Sequence, residues 1–167
     1  RIFPGVYAPV IVSEGGKLVV KPMRYQCRPA GKPAFYDIKY PGTYNARRDN
    51  LQGFWKNQFG HTHGVVVAAA FFENVPRHMA EGRPLLPGES PKSAVVAFRT
   101  SPPEDMLLAC IWSRWSAPGQ PDLLSFALIT DEPRQKCWPQ GMTDASFLSD
   151  RRTSTHGSTR TPATCWV

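Results

Sequence analysis

The sequence predicts an α+β fold that is predominantly β: a curved or barrel-like mixed sheet with one or two short helices. Three observations predict it. Short runs of β-branched and aromatic residues recur along the first 130 positions, with turn residues between them. Pro 17 and Gly 13 are too many for a helix bundle. Strand patterns do not alternate with helical ones, so no βαβ repeat is built.

The elements follow in order. Two β-branched runs within residues 8–21 flank Gly15-Gly16, a hairpin signal. Pro22 and residues 27–33 read as a break into a loop. Within residues 45–59, Leu51, Phe54, Trp55 and Phe59 recur at i, i+3, i+4 and i+8, one face of a short helix. Residues 65–72 form an unbroken apolar run, short and rich in Val and Phe, which reads as a buried strand. Residues 76–92 hold four Pro and read as a loop. Residues 93–100, 107–112 and 123–130 are three further strands.

The expected organisation is one domain over residues 1–133 and an atypical tail over 134–167. Ten of the 25 residues from Thr143 to Val167 are Ser or Thr, and no period survives there. The first residue is Arg1 rather than Met, so the chain is expected to be processed, truncated or partly represented. No apolar run is long enough to span a bilayer, and no secretory signal opens the chain. Lys+Arg 20 against Asp+Glu 13 gives +7, which favours polyanions. Residues 1–133 carry +4 of it and the tail +3. Cys27, Cys110, Cys137 and Cys165 form no CxxC and read as scattered reduced thiols.

The chemistry-bearing candidates are few. His61-Thr-His63 could set two imidazoles on one side of a strand, but no nearby Cys or carboxylate completes a metal set. Neither a G-x-S-x-G nucleophile nor a Gly-rich phosphate loop is present. Tyr44-Asn45-Ala46-Arg47 precedes the expected helix. Asn45 is there either its N-cap or an orienting amide, and Arg47 suits phosphate. Glu73 ends the apolar run beside Phe71 and Phe72. Desolvation there would raise its pKa towards acid–base use; otherwise it is an exposed strand-end carboxylate.

In these residues the chain resembles the SOS-response-associated peptidase family, in its bacterial and phage-related branch. Arg1-Ile-Phe-Pro-Gly-Val-Tyr-Ala-Pro-Val-Ile11 is similar to the family's Arg-Tyr-Asn-x-x-Pro segment. Lys21-Pro-Met-Arg-Tyr25 resembles its Trp-Gly-hydrophobic position, and Asn45-Ala46-Arg47 its Asn-Ala-Arg motif. Phe71-Phe72-Glu73 resembles its aromatic-aromatic-Glu motif, and residues 125–130 the strand before its catalytic His.

The resemblance implies covalent capture of abasic sites in single-stranded DNA, as part of the DNA-damage response. In the intact form an N-terminal Cys supplies thiol and α-amine, and both add to the sugar aldehyde to give a thiazolidine cross-link. The same Cys removes short propeptides, hence "peptidase". By this resemblance Asn45 and Glu73 are catalytic. Arg47, Arg48 and Trp55 contact DNA, with Thr130 supporting the strand that leads to the His. No cofactor and no metal are expected. The partner is abasic single-stranded DNA, not a membrane, and the protein is expected to be a cytoplasmic, nucleoid-associated monomer. The alternatives are a non-catalytic single-stranded-DNA-binding module, stacking bases on Tyr44, Trp55, Trp112 or Trp115, and a structural phage-related protein.

Two departures stand out. The family's Met-Cys-Gly-Arg start would precede Arg1, and its His-Asp-Arg motif is absent after Thr130. Codon degeneracy offers an account of the second. Read from the third base of each codon, Lys136 to Ala145 permits Val-Leu-Ala-Ala-Gly-His-Asp-Arg-Cys, with the Leu, the first Ala and the Asp forced. A reading frame that slips near Arg134 is therefore expected, with the printed tail out of frame.

Overall fold

A computed structural model describes residues 1–100 and 102–131. They divide into two compact units, residues 1–68 with 107–131, and residues 69–106.

The first unit is a closed barrel with one added strand. Strand β1 (Tyr7–Glu14) turns back into β2 (Lys17–Tyr25), as the hairpin signal predicts. Gly15 and Gly16 have φ 57° and 76°, the left-handed region that a two-residue hairpin turn requires and glycine adopts without steric cost. Then come β3 (Asn45–Arg47), β4 (His63–Ala68), β7 (Met106–Ala117) and β8 (Gln120–Thr130). The sheet order is β2-β1-β4-β7-β8-β3, and β2 closes the ring on β8 in parallel, Tyr25 beside Phe126.

The core has two layers. Inside the ring, Ala8, Val10 and Val12 of β1, Met23 of β2, Val66 of β4, Cys110 of β7 and Phe126 of β8 are buried. Gly64 is required there, because a Cβ would lie 2.8 Å from Val10 Cγ1 and 3.2 Å from Cys110 Sγ. On the other face of β7 and β8, Cys27, Ala46, Leu51 and Trp55 pack with Ile111 and Ala127.

The second unit pairs β5 (Phe71–Pro76) antiparallel with β6 (Ser93–Phe98), and Phe71 stacks on Phe98 at 4.7 Å. Between them, residues 76–92 include one helical turn, Arg77–Ala80. Arg83 organises the rest by ion pairs to Glu81 at 2.6 Å and Glu89 at 2.7 Å.

Three expectations need correction. Strand β2 does not break at Pro22, which pairs with Pro9. Neither residue has an N–H, so the two share a position where the antiparallel ladder needs none. Residues 45–59 are not a helix: a short strand is followed by a 3₁₀ turn and a chain of turns. Leu51 and Trp55 are buried and Phe54 and Phe59 half-buried, so the helical spacing reports one-sided burial rather than a helical ladder. The run 65–72 is two strands, divided at Ala69 and Ala70. An unbroken apolar run carries no mark of where it splits.

Candidate functional site

The site is built where β8 changes neighbours. Strand β2 leaves the edge of β8 after Tyr25, and β3 takes the same edge over from Leu128 onward. Gln26 makes the exit at φ 90°, a conformation costing a non-glycine residue about 1–3 kcal/mol. It is held by its N–H donating to Phe126 O at 3.0 Å and its Nε2 to Asp37 O at 2.7 Å.

Asn45, Ala46 and Arg47 then pair in parallel with Leu128, Ile129 and Thr130. Paired positions share a face of the sheet and successive ones alternate. Ala46 and Ile129 therefore turn to the packed layer. Asn45, Arg47 and Thr130 share the opposite face, with Asn45 and Thr130 half-buried and Arg47 exposed. Arg47 donates from Nε and Nη2 to the two oxygens of Asp49, at 3.3 and 3.1 Å. Arg48 donates from Nη1 to Asp131 at 2.8 Å. Asn45 is a strand residue, not an N-cap. In the turns that follow, Asn50 Oδ1 accepts from the Phe54 N–H at 3.1 Å.

Trp55 and Trp115 offer no stacking surface. Trp55 is 2% exposed and Trp115 3%, and Trp115 Nε1 donates to Lys32 O at 2.6 Å. Trp112 and Tyr44 are half-buried. Trp112 Nε1 donates to His63 O, and Tyr44 meets Tyr25 edge-on at 6.0 Å. An accessible aromatic surface lies around the single helical turn α1 (Tyr36–Lys39). Tyr36 packs on Tyr40 at 4.6 Å and on Phe54 at 6.2 Å, and Lys32 Nζ sits 5.1 Å from the first ring and 5.6 Å from the last. Phe35 and Tyr40 are exposed. Sequence reasoning missed this ladder, although Lys32, Tyr36 and Tyr40 stand four residues apart.

Beneath the ladder lies a buried charge cluster, also missed. Asp37 accepts from Arg24 Nη2 at 2.6 Å and from Arg28 Nε at 2.5 Å, and the Arg28 guanidinium lies 4.6 Å from the Trp115 ring. Burial pushes the Asp37 carboxyl up, but the Arg28 hydrogen bond and the charge of both arginines outweigh it and hold the group below the usual range. No sequence pattern marks three charges at such unequal spacing.

Glu73 belongs to the second unit. It sits within β5 opposite Val96 and is exposed, as is Phe72. The expected burial beside Phe71 and Phe72 is not present, because a two-stranded ladder leaves this position open to solvent. Cys27 and Cys110 are buried. Burial pushes both thiols up to about 12, which leaves them inert at neutral pH. His63 Nε2 accepts from the Gly60 N–H at 2.7 Å. Among the described residues no group of three or more His, Cys, Asp or Glu gathers as a metal site.

Residues 1–141 match the family model for SOS response associated peptidase (SRAP). The chain belongs to the SRAP family. No curated protein matches it. Among solved structures, a protein from Bordetella bronchiseptica is similar at TM-score 0.64 and 16% identity, over 86% of this chain and 65% of that one. A protein from Bacteroides thetaiotaomicron is similar at TM-score 0.58 and 15% identity, over 81% and 55%. A phage-related protein from Bordetella bronchiseptica is similar at TM-score 0.52 and 17% identity, over 78% and 55%. The likeness to these is one of fold, and the SRAP chain spans 55–65% of their length.

The SRAP-like segments fall on defined elements. The Asn-Ala-Arg motif is β3, the aromatic-aromatic-Glu motif opens β5, and the strand expected before the catalytic His ends β8. The out-of-frame reading of the tail lies outside the described residues. No helix among the described residues is long and apolar enough to cross a membrane.

Proposed function

We propose that this SRAP chain belongs to a protein that covalently captures abasic sites in single-stranded DNA. The parallel β3–β8 ladder carries the reading: it sets Asn45 and Arg47 beside Leu128 and Thr130, where β8 ends. The Asn45 amide has both a donor and an acceptor with which to orient the ring-opened sugar or the attacking group. Arg47, with Arg48 beside it, takes backbone phosphate. Thr130 steadies the end of β8, from which the family's His follows.

The nucleophile in this reading is the family's N-terminal Cys. Its α-amine condenses with the sugar aldehyde and releases one water, leaving an imine. The thiol then adds across the C=N bond, its proton passes to the nitrogen, and a thiazolidine closes with no oxidant or reductant. The family resemblance assigns the role of proton acceptor to Glu73. The buried thiols of Cys27 and Cys110 are unsuited to the role. The same Cys would remove a short propeptide.

A second reading, a single-stranded-DNA-binding module without covalent chemistry, is favoured by the ladder of exposed Tyr40 and half-buried Tyr36 and Phe54, with Lys32 over it. One experiment separates the two. The 167-residue chain mixed with abasic single-stranded DNA should bind reversibly, release in high salt and leave no adduct on a denaturing gel. A product that carries Met-Cys ahead of this sequence and His-Asp-Arg after Thr130 should leave an adduct that Asn45→Ala or Glu73→Gln slows. No adduct from that product overturns covalent capture and leaves the binding module.

A further inference from the structure

We infer that Asp49 and Asp131 set how tightly the arginine pair takes phosphate, by occupying both guanidinium groups until a strand displaces them. This rests on the DNA reading above. Arg47 meets Asp49 through two N–H groups on two separate carboxylate oxygens. That is the fork with which a guanidinium takes two phosphate oxygens. Asp49 thus stands where a phosphate would. Arg48 is engaged in turn by Asp131.

The two acids arrive by different routes. Asp49 lies two residues after Arg47, at the 3₁₀ turn that ends β3. Asp131 follows Thr130, and the β3–β8 register delivers it to Arg48. Both pairs are solvent-accessible. Such pairs are weak and exchange readily, so phosphate can replace the carboxylates. A strand held by its backbone alone trades one ion pair for another at both arginines and gains little. Lasting attachment then needs further contacts, such as bases on the aromatic ladder or chemistry at a lesion. Occupancy on undamaged strand is thereby kept low, although both arginines stand ready.

The test is fluorescence anisotropy with a labelled, undamaged single-stranded oligothymidylate at low salt. Asp49→Asn and Asp131→Asn should each tighten binding about twofold to fivefold, the span of an exposed ion pair. The gain from Asp49→Asn should vanish in an Arg47→Ala background, and that from Asp131→Asn in an Arg48→Ala background. Asp105→Asn makes the same charge change at an exposed acid of the second unit and should give a smaller gain. An equal gain from Asp105→Asn, or one that survives loss of the arginine, overturns the inference. If the wild type binds and both variants bind equally, the inference alone falls. If nothing binds at low salt, the DNA reading falls with it.

Discussion

Arg47 lies beside Thr130 on the parallel ladder of β3 and β8, although residues 69–106 of the second unit run between them. A motif from the first third of the chain and the last residue of β8 thereby become one edge. If that edge follows a DNA backbone, Arg47→Ala should lower the slope of log affinity against log salt by about 1. Asn45→Ala should leave the slope unchanged. Salt titrations of single-stranded DNA binding check both.

The aromatic ladder makes a separate prediction. Tyr36→Ala and Tyr40→Ala should each weaken single-stranded DNA binding by about 1–3 kcal/mol, the usual worth of one stacked base. The salt slope should stay as it was, since neither side chain carries charge. Unchanged affinity in both variants would remove the ladder from the interface.

Trp55 should behave as a core residue. Trp55→Ala should destabilise the fold by about 3–5 kcal/mol, read by denaturant unfolding. Trp55→Phe should cost less and leave DNA affinity at the wild-type value. A Trp55→Phe protein that folds normally but binds poorly would return this side chain to the binding surface.

Asp37 couples the cluster to pH. Its carboxyl titrates below the usual range in the folded protein and near about 3.9 when unfolded. Its ion pairs therefore contribute fully above the unfolded value, and the contribution is lost as pH falls through the lowered native one. Asp37→Asn should cost about 3–5 kcal/mol at pH 7, since two arginines are left against an uncharged amide. The gap to wild type should narrow on acidification. Urea unfolding at pH 7 and pH 3 measures it, and an equal gap at both would mean that the fold does not hold the Asp37 carboxyl below its unfolded value.

The strands and the hairpin were legible because β-branched runs and Gly15-Gly16 are local signals. The Asn45-Ala46-Arg47 motif was legible as residues but not as a strand, because its partner, β8, lies far along the chain. The same one-sided spacing that suggested a helix over 45–59 marks which side chains are buried, and a series of turns buries them as well. Trp55 illustrates the ambiguity: a large aromatic near a basic motif fits a stacking surface or a core equally until burial is known. The Asp37 cluster was invisible, since the fold and not the spacing brings Arg24, Asp37 and Arg28 together.

The ring closes on a strand that arrives late. Strand β8 serves three neighbours, β7 on one edge and β2 then β3 on the other. During synthesis, β2 and β3 are complete long before residue 120 leaves the ribosome. Until then both keep an unpaired edge, the kind of surface that recruits other chains. Nascent SRAP chains that stall short of β8 should therefore depend on chaperones, whereas those that reach Thr130 gain three pairings from one segment.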